Sequence, residues 1–209
     1  MADTSHGVMQ SSLTGRVVAG WKDRRGTTRW LLENGRGESE ALFFVMFASF
    51  IAFVAGIPAA INGVRLAAEG PLDVPGVVTS WMLTSLMFMV LARYVLSMLS
   101  RWGAKSLGGT GTHLGARYAQ FWTALVVSPI LFFPGGMHLA ALITTSDMLY
   151  GIAQGMDLGA QIIFLAFWAE ALAESEGFES RWPAIAAIFG PLVVLFVLAS
   201  AAIWLLGGI

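Results

Sequence analysis

The sequence contains no cysteine and little charge for its length. Of its 209 residues, 12% are Asp, Glu, Lys or Arg and 56% are hydrophobic, whereas an average soluble domain carries about 25% charged residues. Without cysteine the chain forms no disulfide, thiolate metal site or palmitoyl anchor. The low charge excludes soluble enzymes, nucleic-acid-binding proteins and small secreted scaffolds. It favours a protein that spans a membrane several times.

Long uncharged runs predict where the chain crosses the membrane. A spanning helix needs roughly 17 to 25 mostly apolar residues, and charged residues divide this chain into five candidate runs. The sequence therefore predicts an all-α integral membrane protein whose membrane domain, residues 38–209, has five transmembrane helices. These helices are expected at approximately 40–62, 77–99, 116–133, 158–173 and 182–206.

The stretch between the third and fourth predicted helices leaves the number of spans open. As a spanning helix, residues 137–156 would place Asp147 deep in the lipid, so an interfacial or re-entrant segment is preferred over a sixth span. Pro134 and the two glycines after it predict a break before this stretch. Pro129 predicts a kink within the third helix.

The polar segment ahead of the first predicted span has two parts. Residues 1–12 are small and polar, which predicts a disordered tail. Residues 13–37 interleave basic and aromatic side chains, which predicts an amphipathic arm lying on the anionic headgroups of the cytoplasmic leaflet. A solvated, partly ordered arm is the alternative. The residues expected to form the interfacial arm are Arg16, Trp21, Lys22, Arg24, Arg25 and Trp30.

Basic residues in the loops predict the orientation of the chain. With Arg93 left out because it lies within a span, ten Lys and Arg fall on the amino-terminal side and one, Arg65, on the other. We therefore expect a cytoplasmic amino terminus and a carboxyl terminus on the opposite side of the membrane. The glycine-rich loop 100–116 lacks the Gly-Lys-Ser/Thr ending of a phosphate-binding loop.

Two segments resemble the Yip1-domain proteins of alphaproteobacteria. Residues 35–42 (Gly-Arg-Gly-Glu-Ser-Glu-Ala-Leu), followed by Phe50 and Pro58, are similar to the start of that family. Residues 114–122 (Leu-Gly-Ala-Arg-Tyr-Ala-Gln-Phe-Trp), followed by Ser128 and Pro129, are similar to its third span. Over residues 15–206 the resemblance implies five spans, a cytoplasmic amino terminus and no reaction. It also implies a bacterial inner membrane, in which the carboxyl terminus is expected to be periplasmic. Eukaryotic relatives engage Rab GTPases through an Asp-Leu-Tyr-Gly-Pro motif that is absent before the first span here, so Rab binding is not expected.

A charged residue within a span is a candidate functional site. Arg93 and Glu170 are expected at similar depths on the second and fourth helices, where they would form an ion pair that Glu40 and Arg117 extend into a polar cluster. In the functional interpretation the cluster contacts a lipid headgroup or a partner. In the structural interpretation it fixes the register of the helices.

Small residues and a histidine complete the candidate features. Ala48, Ala52, Gly56 and Ala60 recur every four residues, which predicts a helix-packing stripe. His138 is interpreted as a single interfacial histidine, because the sequence lacks the ligand spacing of a metal site around it.

The sequence predicts no catalytic residue, cofactor or metal, and no nucleic-acid partner. The preferred hypothesis is a non-enzymatic inner-membrane scaffold or accessory subunit of the Yip1-domain type, which packs with lipids, other membrane proteins or copies of itself. The alternative is a small transporter or channel component, and the few polar groups within the predicted spans disfavour it.

Overall fold

The computed structural model describes residues 12–67 and 71–207, with side chains described as far as Val197. These residues form seven helices and no strand, so the all-α prediction is confirmed for the described ranges. The helices are α1 (Leu13–Lys22), α2 (Arg24–Asn34), α3 (Glu38–Ala67), α4 (Val74–Ser106), α5 (His113–Thr144), α6 (Asp147–Glu176) and α7 (Arg181–Gly207). The predicted disordered tail lies outside the described residues, apart from Ser12, whose side chain caps α1.

Four of these helices, α3 to α6, are long and apolar enough to cross a membrane. Each has 30 to 33 residues and therefore extends over roughly 45 to 50 Å, which exceeds a hydrocarbon core of about 30 Å. This pattern indicates a membrane protein. Helix α7 is also apolar, and its role as a fifth span stays a prediction.

The long helices run alternately up and down. The carboxyl end of α4 packs beside the start of α5 and beside α7, whereas the amino-terminal part of α4 packs on the carboxyl-terminal half of α3. We call the end of the bundle that carries α1 and α2 the arm end. The opposite end, where Thr145 and Ser146 connect α5 to α6, is the hairpin end.

The third and fourth predicted helices were too short, and no separate interfacial or re-entrant segment lies between them. Pro129 interrupts α5 only as a 3-10 turn over Ser128–Leu131, after which the helix continues to Thr144. Pro134 is tolerated because it lies in the first α-helical turn after that 3-10 turn, where an amide hydrogen is not required. Helix α6 then begins at Asp147 rather than at residue 158, with Ser146 as its cap.

The loop predicted over residues 100–116 is also much shorter, because α4 continues to Ser106 and only residues 107–112 connect it to α5. Thr112 caps α5, because its hydroxyl accepts a hydrogen bond from the Gly115 amide at 3.0 Å. Glu176 closes this loop from α6. Its buried carboxylate accepts hydrogen bonds from Arg101 at 2.9 Å and from the Gly111 amide at 3.0 Å.

The core surrounds the first half of α5. From Gly115 to Ser128 every residue except Arg117 is buried, because α1, α2, α3, α4 and α6 all pack around this part of the helix. The main apolar cluster includes Leu31 of α2, Phe44 of α3, Phe121 of α5 and Phe167 of α6. The arm helices are therefore part of the packed structure.

Candidate functional site

The predicted pair of Arg93 and Glu170 does not form. Glu170 accepts a hydrogen bond from Arg25 of α2 at 2.9 Å and lies 3.8 Å from Arg181 at the start of α7. The prediction was wrong because it considered only charges on the spanning helices. The docked arm brings a closer cation to Glu170, and Arg93 lies elsewhere in the bundle.

The other two residues of the predicted cluster also bind the arm or its neighbours. Glu40 pairs with Arg16 of α1 at 3.1 Å. Arg117 pairs with Glu38 at 2.8 Å. Both pairs lie at the arm end. The first joins α1 to the start of α3, and the second joins the start of α3 to α5.

Two ion pairs hold α2 on α6. Arg25 binds Glu170, and Arg29 binds Glu174 at 2.7 Å. This hydrogen bond and the nearby negative charge raise the pKa of the Arg29 guanidinium above its ordinary value. The two acids lie four residues apart and the two arginines also lie four residues apart, so both pairs form along adjacent helix faces.

The aromatic residues of the predicted interfacial arm contact protein as well. Trp21 donates a hydrogen bond to the Val126 carbonyl of α5 at 2.8 Å, and its ring packs edge-on against Phe167 at 4.7 Å between centroids. The Arg24 guanidinium lies over the Phe167 ring, 3.9 Å from its centre. Trp30 lies 5.8 Å from the Arg16 guanidinium.

Lys22 and Arg24 are exposed at the turn between α1 and α2. Within the described residues, neither forms an ion pair. The arm is therefore a docked helical hairpin in which Lys22 faces outward, whereas Arg24 is exposed but also lies over the Phe167 ring.

The predicted packing stripe on α3 only partly coincides with the buried face of that helix. Ala48 is buried, whereas Ala52, Gly56 and Ala60 are half-buried. A side chain at Gly56 would collide with the Trp81 ring of α4, so Gly56 accommodates an aromatic residue rather than a helix backbone.

Two residues of the stripe, Ala52 and Gly56, line a cavity of about 530 Å³ between α3, α4, α5 and α6, whereas Ala60 does not. Small residues of α3 leave the space, because their side chains extend little beyond the backbone. Its polar lining residues are Arg93, Ser128, His138, Asp157 and Gln161. Polar groups of α4, α5 and α6 therefore converge at this cavity.

Arg93 is the cation of this cavity. Its guanidinium lies 5.2 Å from the Phe164 ring centre, and its buried Nε has no hydrogen-bond partner. Every salt bridge among the described residues involves other groups. Arg93 therefore lines a cavity that is large enough for a ligand, and it has hydrogen-bond donors that no described residue accepts from.

A π-helical turn in α4 positions Arg93. In a regular helix Arg93 would lie about 120° around the axis from Trp81, since each residue advances the helix by about 100°. The π turn at Thr84–Phe88 inserts an extra residue into the helix, and π turns of this kind recur at functional sites. The inserted residue brings Arg93 and Trp81 to the same cavity.

His138 has a carboxylate partner that the sequence did not reveal. Its Nε2 lies 2.8 Å from Asp157 of α6, and its backbone carbonyl accepts a hydrogen bond from Asn62 of α3 at 2.6 Å. The predicted fourth helix began at residue 158, directly after Asp157, so this pair was not predicted. The His138 side chain is buried, whereas the Asp157 side chain is 39% exposed toward the cavity and its surroundings.

The cavity has the chemistry of a binding site. An arginine can donate to both oxygens of a phosphate or carboxylate, whereas Asp157 and Gln161 can accept hydrogen bonds from hydroxyl groups. Within the described residues, no cluster of three or more His, Asp or Glu could hold a metal ion. Compared with known proteins, the chain matches no protein-family model, no curated protein and no solved structure.

Proposed function

We propose that this chain is a non-enzymatic membrane protein that binds an anionic ligand in the cavity between α3, α4, α5 and α6. The observation that carries the proposal is Arg93, whose guanidinium faces the cavity without an acidic partner among the described residues. A charged side chain within a spanning segment is costly and normally serves a ligand, an ion pathway or a partner charge.

Most other arginines of the described bundle have an acidic partner, which Arg93 lacks. Arg16, Arg25, Arg29, Arg101 and Arg117 each bind a glutamate, whereas Arg24 and Arg36, which also form no ion pair among the described residues, are exposed. An arginine that served only to fix helices together would be expected to have such a partner. A cavity of several hundred Å³ with a few convergent polar groups is also typical of small-molecule sites.

Thermal unfolding in a non-ionic detergent tests this function, with inorganic phosphate and octyl phosphate as probes. A ligand present at 100 times its Kd stabilises the folded state by about 2.7 kcal/mol, so at least one probe should raise the Tm. Arg93→Met should remove the increase, and Arg93→Lys should keep part of it. Arg36→Met removes an exposed arginine outside the cavity and should behave as the unmodified chain. Equal responses of Arg93→Met and the unmodified chain to both probes would refute the proposed function.

The scaffold or accessory-subunit hypothesis is a second candidate, supported by the outward face of α4. Met87, Phe88 and Leu91 are exposed there by 63 to 68%, so this apolar face is available to lipid, another membrane protein or a second copy. The resemblance to Yip1-domain proteins supports the same hypothesis. Co-purification in a mild detergent, with mass spectrometry of the bound proteins, tests it.

The proposed location is the inner membrane of a bacterium, with the arm end in the cytoplasm. In this orientation the exposed Lys22 and Arg24 lie near the anionic headgroups of the cytoplasmic leaflet, where each basic residue contributes about 1 kcal/mol of attraction. A small transporter or channel component would use the same cavity. Solute uptake into vesicles containing the purified protein distinguishes transport from binding.

A further inference from the structure

The cavity has an opening on the side of the bundle. Helix α5 forms its floor, and α4 and α6 form opposite walls without packing closely against each other. Met89 of α4 and Gln161 of α6 line the cavity and are also exposed at its rim. The gap between these two helices therefore connects the cavity with the surroundings of the apolar bundle.

Among its described side chains, which end at Val197, α7 closes this gap toward the arm end. There Gly103 of α4 lies against the Ala187 backbone so closely that a side chain at Gly103 would collide with it. Beyond Pro191, the described α7 side chains from Leu192 to Val197 are 36 to 73% exposed. They do not pack into the gap at the level of the cavity.

The cavity lining carries opposite charges at two different places, and the rest of it is apolar. Arg93 lies near Phe164, and the Asp157 carboxylate is bound to His138 on a different part of the lining. An anionic group is attracted to Arg93 and repelled by Asp157. The remaining walls, including Ala52, Ala59 and Met89, suit an apolar chain.

We propose that the ligand is a membrane phospholipid, whose phosphate binds Arg93 after lateral access between α4 and α6. This inference rests on the proposed function, since it identifies the anion that the cavity binds. A free phosphate provides the same oxygen atoms, but the opening faces the layer that the apolar helices occupy. A lipid already resides in that layer and has the apolar chains that the alanine-rich walls accommodate.

Native mass spectrometry of the full chain tests the proposal. The protein is reconstituted in nanodiscs of phosphatidylcholine and phosphatidylglycerol, extracted, and washed with detergent. We expect one phosphatidylglycerol to remain bound, with about tenfold weaker retention in Arg93→Met, because a charge-assisted hydrogen bond contributes enough free energy for such a change. Arg36→Met, which removes the same charge outside the cavity, should retain the lipid fully.

Two further variants keep the test valid if Arg93→Met fails to fold. Ala59→Phe fills the cavity without a change of charge, and Gln161→Trp obstructs the rim at an exposed position. Both should lose the retained lipid, and millimolar inorganic phosphate should not displace it from the unmodified protein. Equal retention in all variants, or full displacement by inorganic phosphate, would overturn the inference. If octyl phosphate still stabilises the protein through Arg93 in that case, the proposed function stands and only the lipid assignment fails.

Discussion

At the scale of single residues, the burial of a charged side chain decides how much its ion pair contributes to the stability of the fold. Glu176 is buried completely beside Arg101, whereas Arg117 and Glu38 are 28% and 49% exposed at their side chains. Breaking a buried pair leaves an uncompensated charge away from water. When an exposed pair is broken, water replaces the lost partner, so such a pair contributes only about 0 to 1 kcal/mol to the free energy of unfolding.

The first prediction compares these two ion pairs. Glu176→Leu should lower the free energy of unfolding by about 3 to 5 kcal/mol, and Arg101→Met combined with it should recover much of the loss, since no lone charge remains. Glu38→Leu should cost less than about 1 kcal/mol. Unfolding by sodium dodecyl sulfate in mixed micelles measures the differences. Similar losses for Glu176→Leu and Glu38→Leu would contradict the burial argument.

At the scale of helices, close packing depends on individual small residues. Gly135 of α5 lies against the Ala55 carbonyl of α3, so closely that a Cβ would collide with it, whereas a Cβ at the neighbouring Gly136 would meet open space. The two glycines are adjacent in sequence but face different surroundings. Small residues at such helix contacts let backbones approach within a membrane.

The second prediction uses this pair of glycines. Gly135→Ala should destabilise the protein by about 1 to 3 kcal/mol, because the added methyl group forces α3 and α5 apart. Gly136→Ala should have no cost or should stabilise by up to about 1 kcal/mol, since alanine favours helix. Thermal unfolding of both variants in the same detergent gives the comparison. A loss in Gly136→Ala as large as in Gly135→Ala would show that helix propensity, not contact with α3, dominates.

The docking of α2 on the bundle also depends on individual side chains. Leu31 is 1% exposed in the main apolar cluster, and the next residue, Leu32, is 39% exposed. Neighbouring leucines on α2 therefore report separately on its protein-facing and outward-facing sides.

The third prediction follows from that difference. Leu31→Ala should cost about 2 to 5 kcal/mol, because it leaves a cavity between α2, α3 and α5, and Leu32→Ala should cost less than about 1 kcal/mol. Measurement in detergent without anionic lipid removes any contribution from headgroups. If neither variant changes the stability, the arm does not dock on the bundle under these conditions.

At the scale of the whole molecule, the alternation of long helices determines which ends share a side. The loops 107–112 and 177–180 lie at the arm end, and the Thr145–Ser146 turn lies at the hairpin end. Ten of the eleven basic residues outside the predicted spans belong to the arm side, which favours a cytoplasmic arm end.

The fourth prediction is the orientation. A reporter that is active only in the periplasm should be active when inserted at the Thr145–Ser146 turn and silent in the loop near Gly109. Fused after Ile209, it should be active if α7 crosses the membrane as a fifth span. Activity near Gly109 would reverse the orientation, and silence at Ile209 with activity at Thr145 would leave four spans.

The sequence by itself determined the helical class and the positions of the long apolar helices. Both follow from local properties: apolar run length predicts a span, and Thr112 is recognisable as a cap from the chain beside it. The ends of the helices were harder to predict from the sequence. Pro134 was interpreted as a break, and the fourth helix was predicted to begin only at residue 158. The 3-10 turn and the pairing of Asp157 with His138 allow the helices to continue through both positions.

Only the tertiary structure decided which charges meet. The sequence marked Arg93 as a charge within a span, but Arg25 and Glu170 are separated by 145 positions and are paired by the docking of α2 on α6. The same docking leaves Arg93 without that glutamate, and the π turn directs it to the cavity. Ion pairing depends on distances of a few Å, and these are set by the packing of helices remote in sequence.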